Sequence, residues 1–299
     1  MKWKTAIKDY TFYLKIERGL SDNSVQGYIR DITKLEKYLE ENSITTTPLV
    51  ITDEILQQFI YEASKNLKAT SLARLISGIK NFFSYLVFED LRKDNPAELL
   101  ESPKTGRKLP DVLSIEEIDM LIAAIDLSSP EGQRNKAILE TLYGCGLRVS
   151  ELITLKISDL FFDEGFIKVT GKGNKDRFVP IANTTMKYIN IYVQEIRCHL
   201  NIDPQFSDNV FLNRRGKQLT RAMIFTIIKQ LSEKIGLQKK ISPHTFRHSF
   251  ATHLLQNGAN LIAIQQMLGH SSITTTEIYM HLDRQHLSEV MQNFHPRKH

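Results

Sequence analysis

His244-Thr245-Phe246-Arg247-His248-Ser249-Phe250-Ala251-Thr252-His253-Leu254-Leu255 is the stretch on which the reading of this chain turns. Ser242-Pro243 just ahead of it predicts an N-cap followed by proline at the first helical position. His244 then falls in the first turn, where free amides and the positive end of the helix dipole favour an anion. Arg247, three residues on, shares its face. Leu268-Gly269-His270 and, nine residues later, Tyr279 follow downstream. Upstream, Gly146-Leu147-Arg148-Val149-Ser150-Glu151-Leu152 brings a second arginine, and Gly144 and Gly146 are expected to let the backbone there approach a ligand. Zinc held by His244 and His248 is a poor alternative, because no glutamate follows His244 and no third ligand is evident. His248 and His253 read as packing or capping residues.

Two arginines, two histidines and a tyrosine suit the breaking of a phosphodiester by a tyrosine nucleophile without a metal. The non-bridging oxygens of a transferring phosphate gather charge, and planar guanidinium groups grip them bidentately. Donors fixed where charge develops supply the largest catalytic effect, and histidines supply hydrogen bonds and proton transfer near neutral pH. Tyrosine, with a free pKa of about 10, needs its proton taken or its oxyanion stabilised.

The 299 residues suffice for two domains, and 41% hydrophobic with 24% charged content describes an ordinary globular protein. The net charge of +5 has the sign a polyanion partner requires, and the surplus lies towards the part with the chemistry. Two cysteines, Cys145 and Cys198, suggest neither a disulfide framework nor a zinc site. No apolar signal core or membrane-length run is present, so a cytoplasmic protein is expected.

Residues 1–100 read as helices: Trp3, Ile7, Tyr10 and Leu14 recur at helical spacing up to Gly19, then Tyr28, Ile32, Leu35 and Leu39, then Ile55, Phe59 and Ile60 after Thr52. An aromatic-rich fourth helix from about Ser71 carries Phe82, Phe83, Tyr85 and Phe88. Prolines, a glycine and basic residues mark 101–112 as a linker. The domain 113–299 opens on the capping box Ser114 to Glu117. Phe166–Thr170 and Arg177–Ile181, flanking Gly171-Lys172-Gly173-Asn174-Lys175, read as a β-hairpin. Val210-Phe211-Leu212 reads as a short extended run, and the rest as mostly helical.

His244 to Leu255, Leu268-Gly269-His270 and Tyr279, in this order after Arg148, resemble the signature of the tyrosine recombinase (integrase) family. The length and the lack of an arm-binding domain ahead of the helices are most similar to its Xer branch. The resemblance implies a mainly α fold: a helical core DNA-binding domain (1–100) and a mostly α catalytic domain with a small antiparallel β-sheet, closing around duplex DNA as a clamp. It implies Tyr279 as the nucleophile that forms a 3′-phosphotyrosine, Arg148 and Arg247 on the phosphate, His244 and His270 beside them, and Lys172 protonating the leaving 5′ oxygen. Lys175 is the rival to Lys172. No metal or other cofactor is implied.

Arg30, Lys34 and Lys37 on the second helix and Lys68, Arg74 and Lys80 around the fourth are candidate phosphate contacts. Thr220-Arg221 opens the helix that reads the major groove in similar proteins. Arg221 is therefore a candidate base contact, and Arg214 and Lys217 candidate phosphate contacts. The resemblance further implies a tetramer on two duplexes with a paralogous, XerC-like recombinase, and switching by the translocase FtsK. A C-terminal segment with Leu282, Leu287, Val290, Met291 and Phe294 on one face would pass to the neighbouring subunit, or pack on its own domain in a free monomer. A mobile-element integrase, a type IB topoisomerase and a non-enzymatic DNA-binding protein are the rival readings.

Overall fold

The computed structural model describes residues 1–104, 111–171, 173–269 and 280–297, the side chains of 280–285 excepted. The chain divides into two compact units, Met1–Lys108 and Leu109–His299.

The first unit is built from α1 (Trp3–Phe12), α2 (Asp22–Glu41), α3 (Asp53–Asn66) and α4 (Ala69–Phe88). Trp3, Ala6, Tyr10 and Leu14 point inward, the last from a π-helical turn at Tyr13–Glu17 that extends α1. They meet Val25, Ile32, Leu35 and Leu39 of α2 and a row on α4 from Leu75 to Leu86. The ring of Phe82 stands edge-on to Tyr10 at 5.2 Å, a geometry that aligns the positive edge of one ring with the negative face of the other. On α3 Phe59 is buried as expected and Ile55 and Ile60 pack partly against the core, while Leu56, which the sequence reading left out, is fully buried. One ion pair is set into this core. Asp31 is buried, and Arg74 bonds it with both Nη atoms, Nη1 at 2.7 Å from Oδ2. Gly78 makes the room, since a Cβ there would lie 2.6 Å from Asp31 Oδ2.

The second unit starts at α5 (Ile115–Ala123), where both halves of the capping box form: Ser114 N–H donates to Glu117 Oε2 at 2.8 Å and Glu117 N–H to Ser114 Oγ at 3.2 Å. The central helix α6 (Pro130–Gly144) is buried without a break from Ala137 to Gly144. After it come α7 (Val149–Thr154) and an antiparallel sheet of β1 (Leu160–Phe161), β2 (Phe166–Thr170) and β3 (Asp176–Pro180), in the order β1-β2-β3. Val169 pairs with Arg177 across the hairpin. The helices α8 (Asn183–Ile191), α9 (Arg221–Lys234), α10 (Pro243–Gln256), α11 (Leu261–Leu268) and α12 (Met280–Phe294) complete the unit. The fold is mainly α with a small antiparallel sheet, as the sequence reads.

One local expectation is corrected, and one short element is not read from the sequence. The two-residue strand β1 is too short to leave a sequence period. Val210-Phe211-Leu212, expected as an extended run, is buried but forms only an isolated bridge from Leu212 to Gln218. Among the described residues no helix is long and apolar enough to cross a membrane.

Candidate active site

The loop from α6 to α7 turns at Gly146, whose φ is +58°. Arg148 becomes the N-cap of α7, and Glu151 the third residue of its first turn, where the helix dipole favours a carboxylate. The two interlock: Arg148 N–H donates to Glu151 Oε2 at 2.8 Å, and Arg148 Nη1 to Oε1 at 2.7 Å. Arg177 of β3 adds a second grip, Nη1 to Oε1 and Nη2 to Oε2, both 2.9 Å. Arg247 of α10 stands 3.8 Å from the same carboxylate. Glu151 is only 2% exposed. Burial alone would raise its carboxyl, but the hydrogen bonds and charge of Arg177, and then the bonds from Arg148, hold it below the usual carboxylate range.

The same three guanidiniums close the end of α11. Its last carbonyls have no helical partner. Met267 O accepts from Arg177 Nε at 2.8 Å, Leu268 O from Arg247 Nη2, and Gly269 O from Arg148 Nη2 at 3.4 Å. Three consecutive carbonyls are thus each met by a different arginine. Gly269 favours glycine by its φ of +63°, and a Cβ there would also crowd Arg177 Cδ at 3.0 Å. Three positive charges around one negative leave a strongly anion-seeking cluster. Arg148, 30% exposed, is its open edge, and Arg247, 10% exposed, its floor.

His244 occupies the second position of α10, exposed and one turn before Arg247. Ser242 and Thr245 fix that start, Ser242 N–H donating to Thr245 Oγ1 at 3.1 Å. His253 is buried, its Nδ1 2.9 Å from the Tyr143 hydroxyl, so it packs rather than binds. Arg148, His244 and Arg247 are therefore held by neighbouring parts of one unit. Lys172, His270 and Tyr279 lie outside the described residues. Lys175 is exposed at the end of the hairpin turn, where Gly171 N–H donates to its carbonyl at 2.8 Å.

Glu151 and Arg177 are what the sequence reading left out. Glu151 carried a signal, an acid three residues after an N-cap arginine. Arg177 carried none, because its partners lie 26 and 90 residues away. The glycines before Arg148 are also corrected: a Cβ on Gly144 would meet Thr185 Oγ1 at 2.4 Å, and one on Gly146 would meet Phe250 Cδ1 at 2.5 Å. Packing inside the protein gives both their reason.

Of the basic candidates, Arg30, Lys34 and Lys37 line a groove on α2 with Gln26, Ile29 and Thr33. Lys68 is exposed at the N-cap of α4. Arg74 is committed to Asp31 yet half-exposed. Lys80 bonds the carbonyl of Glu98 at 2.9 Å. Arg214 is exposed, Lys217 lies 3.7 Å from Asp203, and Arg221 begins α9 behind Thr220, whose Oγ1 caps Met223 N–H at 3.2 Å. Among the described residues no group of three or more His, Cys, Asp or Glu is arranged to hold a metal ion.

An arginine-lined anion site on this fold defines a class. The phage integrase family model matches residues 111–286, and that of the phage integrase N-terminal SAM-like domain matches residues 7–90. The chain belongs to the phage integrase family, the tyrosine-type site-specific recombinases. It is 43% identical over 293 residues to the tyrosine recombinase XerD of Oceanobacillus iheyensis, covering 98% of each chain. It is 40% identical over 294 residues to the XerD of Staphylococcus haemolyticus, covering 98% of this chain and 99% of the other. Among solved structures, a XerH site-specific recombinase bound to a palindromic difH substrate in a post-cleavage complex is 25% identical. The match has a TM-score of 0.71 and covers 91% of this chain and 80% of that one.

Proposed function

We propose that this protein is a Xer recombinase that resolves chromosome dimers at a dif-like site, cutting and rejoining duplex DNA through a 3′-phosphotyrosine on Tyr279. The observation that carries the reading is the packing of Arg148 and Arg247 about Glu151, in a chain with full-length similarity to XerD proteins. Tyr279 Oη attacks the scissile phosphorus, and its proton passes to the site. The bond to the 5′ oxygen breaks, and Lys172 donates the proton that makes that oxygen a hydroxyl. Arg148 and Arg247 neutralise the non-bridging oxygens, with His244 and His270 donating beside them. A 5′-hydroxyl from the partner duplex reverses the step. Each bond broken is replaced by one of similar energy, so the exchange needs no cofactor.

The recombinase works as a tetramer on two duplexes with a XerC-like paralogue, is switched on by FtsK, and acts in the cytoplasm. Arg30, Lys34, Lys68 and Arg74 in the first unit and Arg214 and Lys217 in the second contact phosphates, while Arg221 reads a base edge.

A nicked suicide duplex tests the chemistry. Wild-type protein is expected to form a protease-sensitive adduct on the 3′-phosphate end at the break, and Tyr279→Phe none. An adduct from the phenylalanine variant would move the nucleophile elsewhere. Sequencing the trapped junctions from genomic DNA tests the role: one chromosomal site built from two unlike half-sites supports it, and the ends of a mobile element overturn it.

A further inference from the structure

Arg177 stands outside the residues the chemistry requires, yet from β3 it bonds both Glu151 of α7 and the end of α11. All three of its bonding directions are used inside the protein: Nε on the Met267 carbonyl and the two Nη atoms on the two oxygens of Glu151. With only 12% of its side chain exposed, it is not presented to a phosphate. Glu151 in turn takes four hydrogen bonds, two from Arg148 and two from Arg177, which fill the roughly four acceptor positions of a carboxylate.

Each contact belongs to a different part of the site. The Glu151 contact fixes the acid on which Arg148 is braced. The Met267 contact fixes the end of α11, two residues before Gly269, whose left-handed turn leads the chain on towards His270. Arg177 itself sits on β3 opposite Val169 of β2, and the turn between these strands contains Lys172. A lysine at 177 gathers its three donors on one nitrogen and cannot reproduce the planar fork that reaches both carboxylate oxygens and the carbonyl.

We propose that Arg177 is a positioning residue for strand cleavage, which keys the hairpin, the Arg148–Glu151 brace and the C-terminal end of α11 into a single geometry. This rests on the recombinase reading above. A phosphate held between guanidiniums is sensitive to small displacements, about 1 Å being enough to cost 10²-fold in rate. Arg177 acts through the residues it aligns.

The experiment uses the full chain and the nicked suicide duplex, comparing wild type with Arg177→Gln, Arg177→Lys, Glu151→Gln and Glu151→Gln/Arg177→Gln. Single-turnover cleavage at saturating protein, duplex affinity and melting temperature are measured for each from acid to neutral pH. Arg177→Gln is expected to lose about 10²-fold or more in cleavage rate while still binding the duplex. Its acid limb should also move towards neutral pH, because Glu151 loses its strongest partner. That limb should be absent in both Glu151→Gln proteins, and the double variant should cleave no more slowly than the worse single one, as coupled residues do. Arg177→Lys is expected to keep the acid limb near its wild-type position but to recover little of the rate. It takes over the comparison should the glutamine variant fail to fold.

The proposal is overturned if the folded variants cleave at the wild-type rate, if the acid limb stays where it was in Arg177→Gln, or if the losses multiply independently of Glu151. Absence of any adduct from the wild-type protein would instead overturn the recombinase chemistry, so the two failures are distinguishable.

Discussion

Phe250 occupies the space in which a side chain on residue 146 would begin, its Cδ1 only 2.5 Å from the Cβ that Gly146 lacks. The same glycine, at a φ of +58°, offers its carbonyl to Arg247 Nη1 at 2.7 Å. Packing and chemistry are thereby tied at one backbone position. Gly146→Ala would add about 1–2 kcal/mol of left-handed strain to the displacement of a buried ring. It is expected to lower the melting temperature by several degrees and to reduce cleavage more than duplex affinity. Calorimetry alongside the suicide-duplex assay checks both, and an unchanged melting temperature would count against this account.

The two proposed phosphate arginines should respond differently to lysine. Burial, and next the charge of Arg148, push the Arg247 guanidinium down to about 10, so it remains charged at neutral pH. A lysine there starts from a lower intrinsic pKa and meets the same burial, so it loses part of its charge as well as its fork. Arg247→Lys is expected to cleave at least about 10²-fold more slowly than wild type, with its residual rate declining as pH rises and the ammonium deprotonates. Arg148→Lys, nearer solvent, should lose rate without that pH dependence. EDTA should leave wild-type cleavage unchanged; activity lost on chelation and restored by magnesium would argue against the arginine-based chemistry.

Duplex affinity should fall steeply with salt, each phosphate contact adding about 0.9 to the slope. Lys34→Ala is expected to weaken all sequences alike and to remove about one unit of slope, whereas Arg221→Ala should relax sequence preference. Arg74→Ala differs from both, because it also strips Asp31 of its partner. A cost of about 1–3 kcal/mol in the stability of the first unit is expected, reduced from the fully buried case by the exposure of Arg74. Binding titrations at several salt concentrations and urea melts separate the three behaviours.

Stability should depend on His295. Burial, reinforced by the nearby Arg297 and His253, pushes this imidazole down to about 3. The folded protein keeps it neutral while the unfolded chain binds a proton below about 6.5, the ordinary histidine value. Between these values the unfolded state holds more protons, so stability is complete above about 6.5 and is lost as pH falls towards 3, at up to about 1.4 kcal/mol per pH unit. His295→Gln is expected to flatten urea-melt stability between pH 6.5 and 4. An equal slope in both proteins would assign the acid loss to other groups, Glu151 among them, whose lowered carboxyl also withdraws stability as pH falls through it.

Local chemistry was legible in the sequence wherever partners lie within a turn or a hairpin. Ser114 with Glu117, Ser242-Pro243 at the head of α10, Thr220 before Arg221 and the pairing of Phe166–Thr170 with the strand containing Arg177 all follow from neighbours a few residues apart. Leu287, Val290 and Met291 kept their helical spacing and are buried in the second unit, with Phe294 packed beside them. What was not legible depends on distant partners. Nothing near Arg177 announces Glu151 or Met267, nothing near Gly146 announces Phe250, and nothing near Arg74 announces Asp31. Of the candidate site, Arg148, His244 and Arg247 are singled out by motif and resemblance; the Glu151 brace between Arg148 and Arg247 is not.

The segment after α12 behaves as a plug in a socket. His295 is wedged against Tyr143 and Phe250, with ring centroids 5.0 and 5.2 Å away, and Arg297 lies 3.2 Å from the buried carboxylate of Glu140. A tail handed to a neighbouring subunit would empty that socket and remove the Arg297 guanidinium that offsets the burial of Glu140, whose carboxyl is already raised by that burial. Only an incoming tail with an aromatic and a cation at the same spacing restores the fit. In an open row of subunits one socket always stays vacant, whereas a closed ring fills them all. Under the proposed ring, a neighbour would then be accepted by the two side chains its tail brings to that wall.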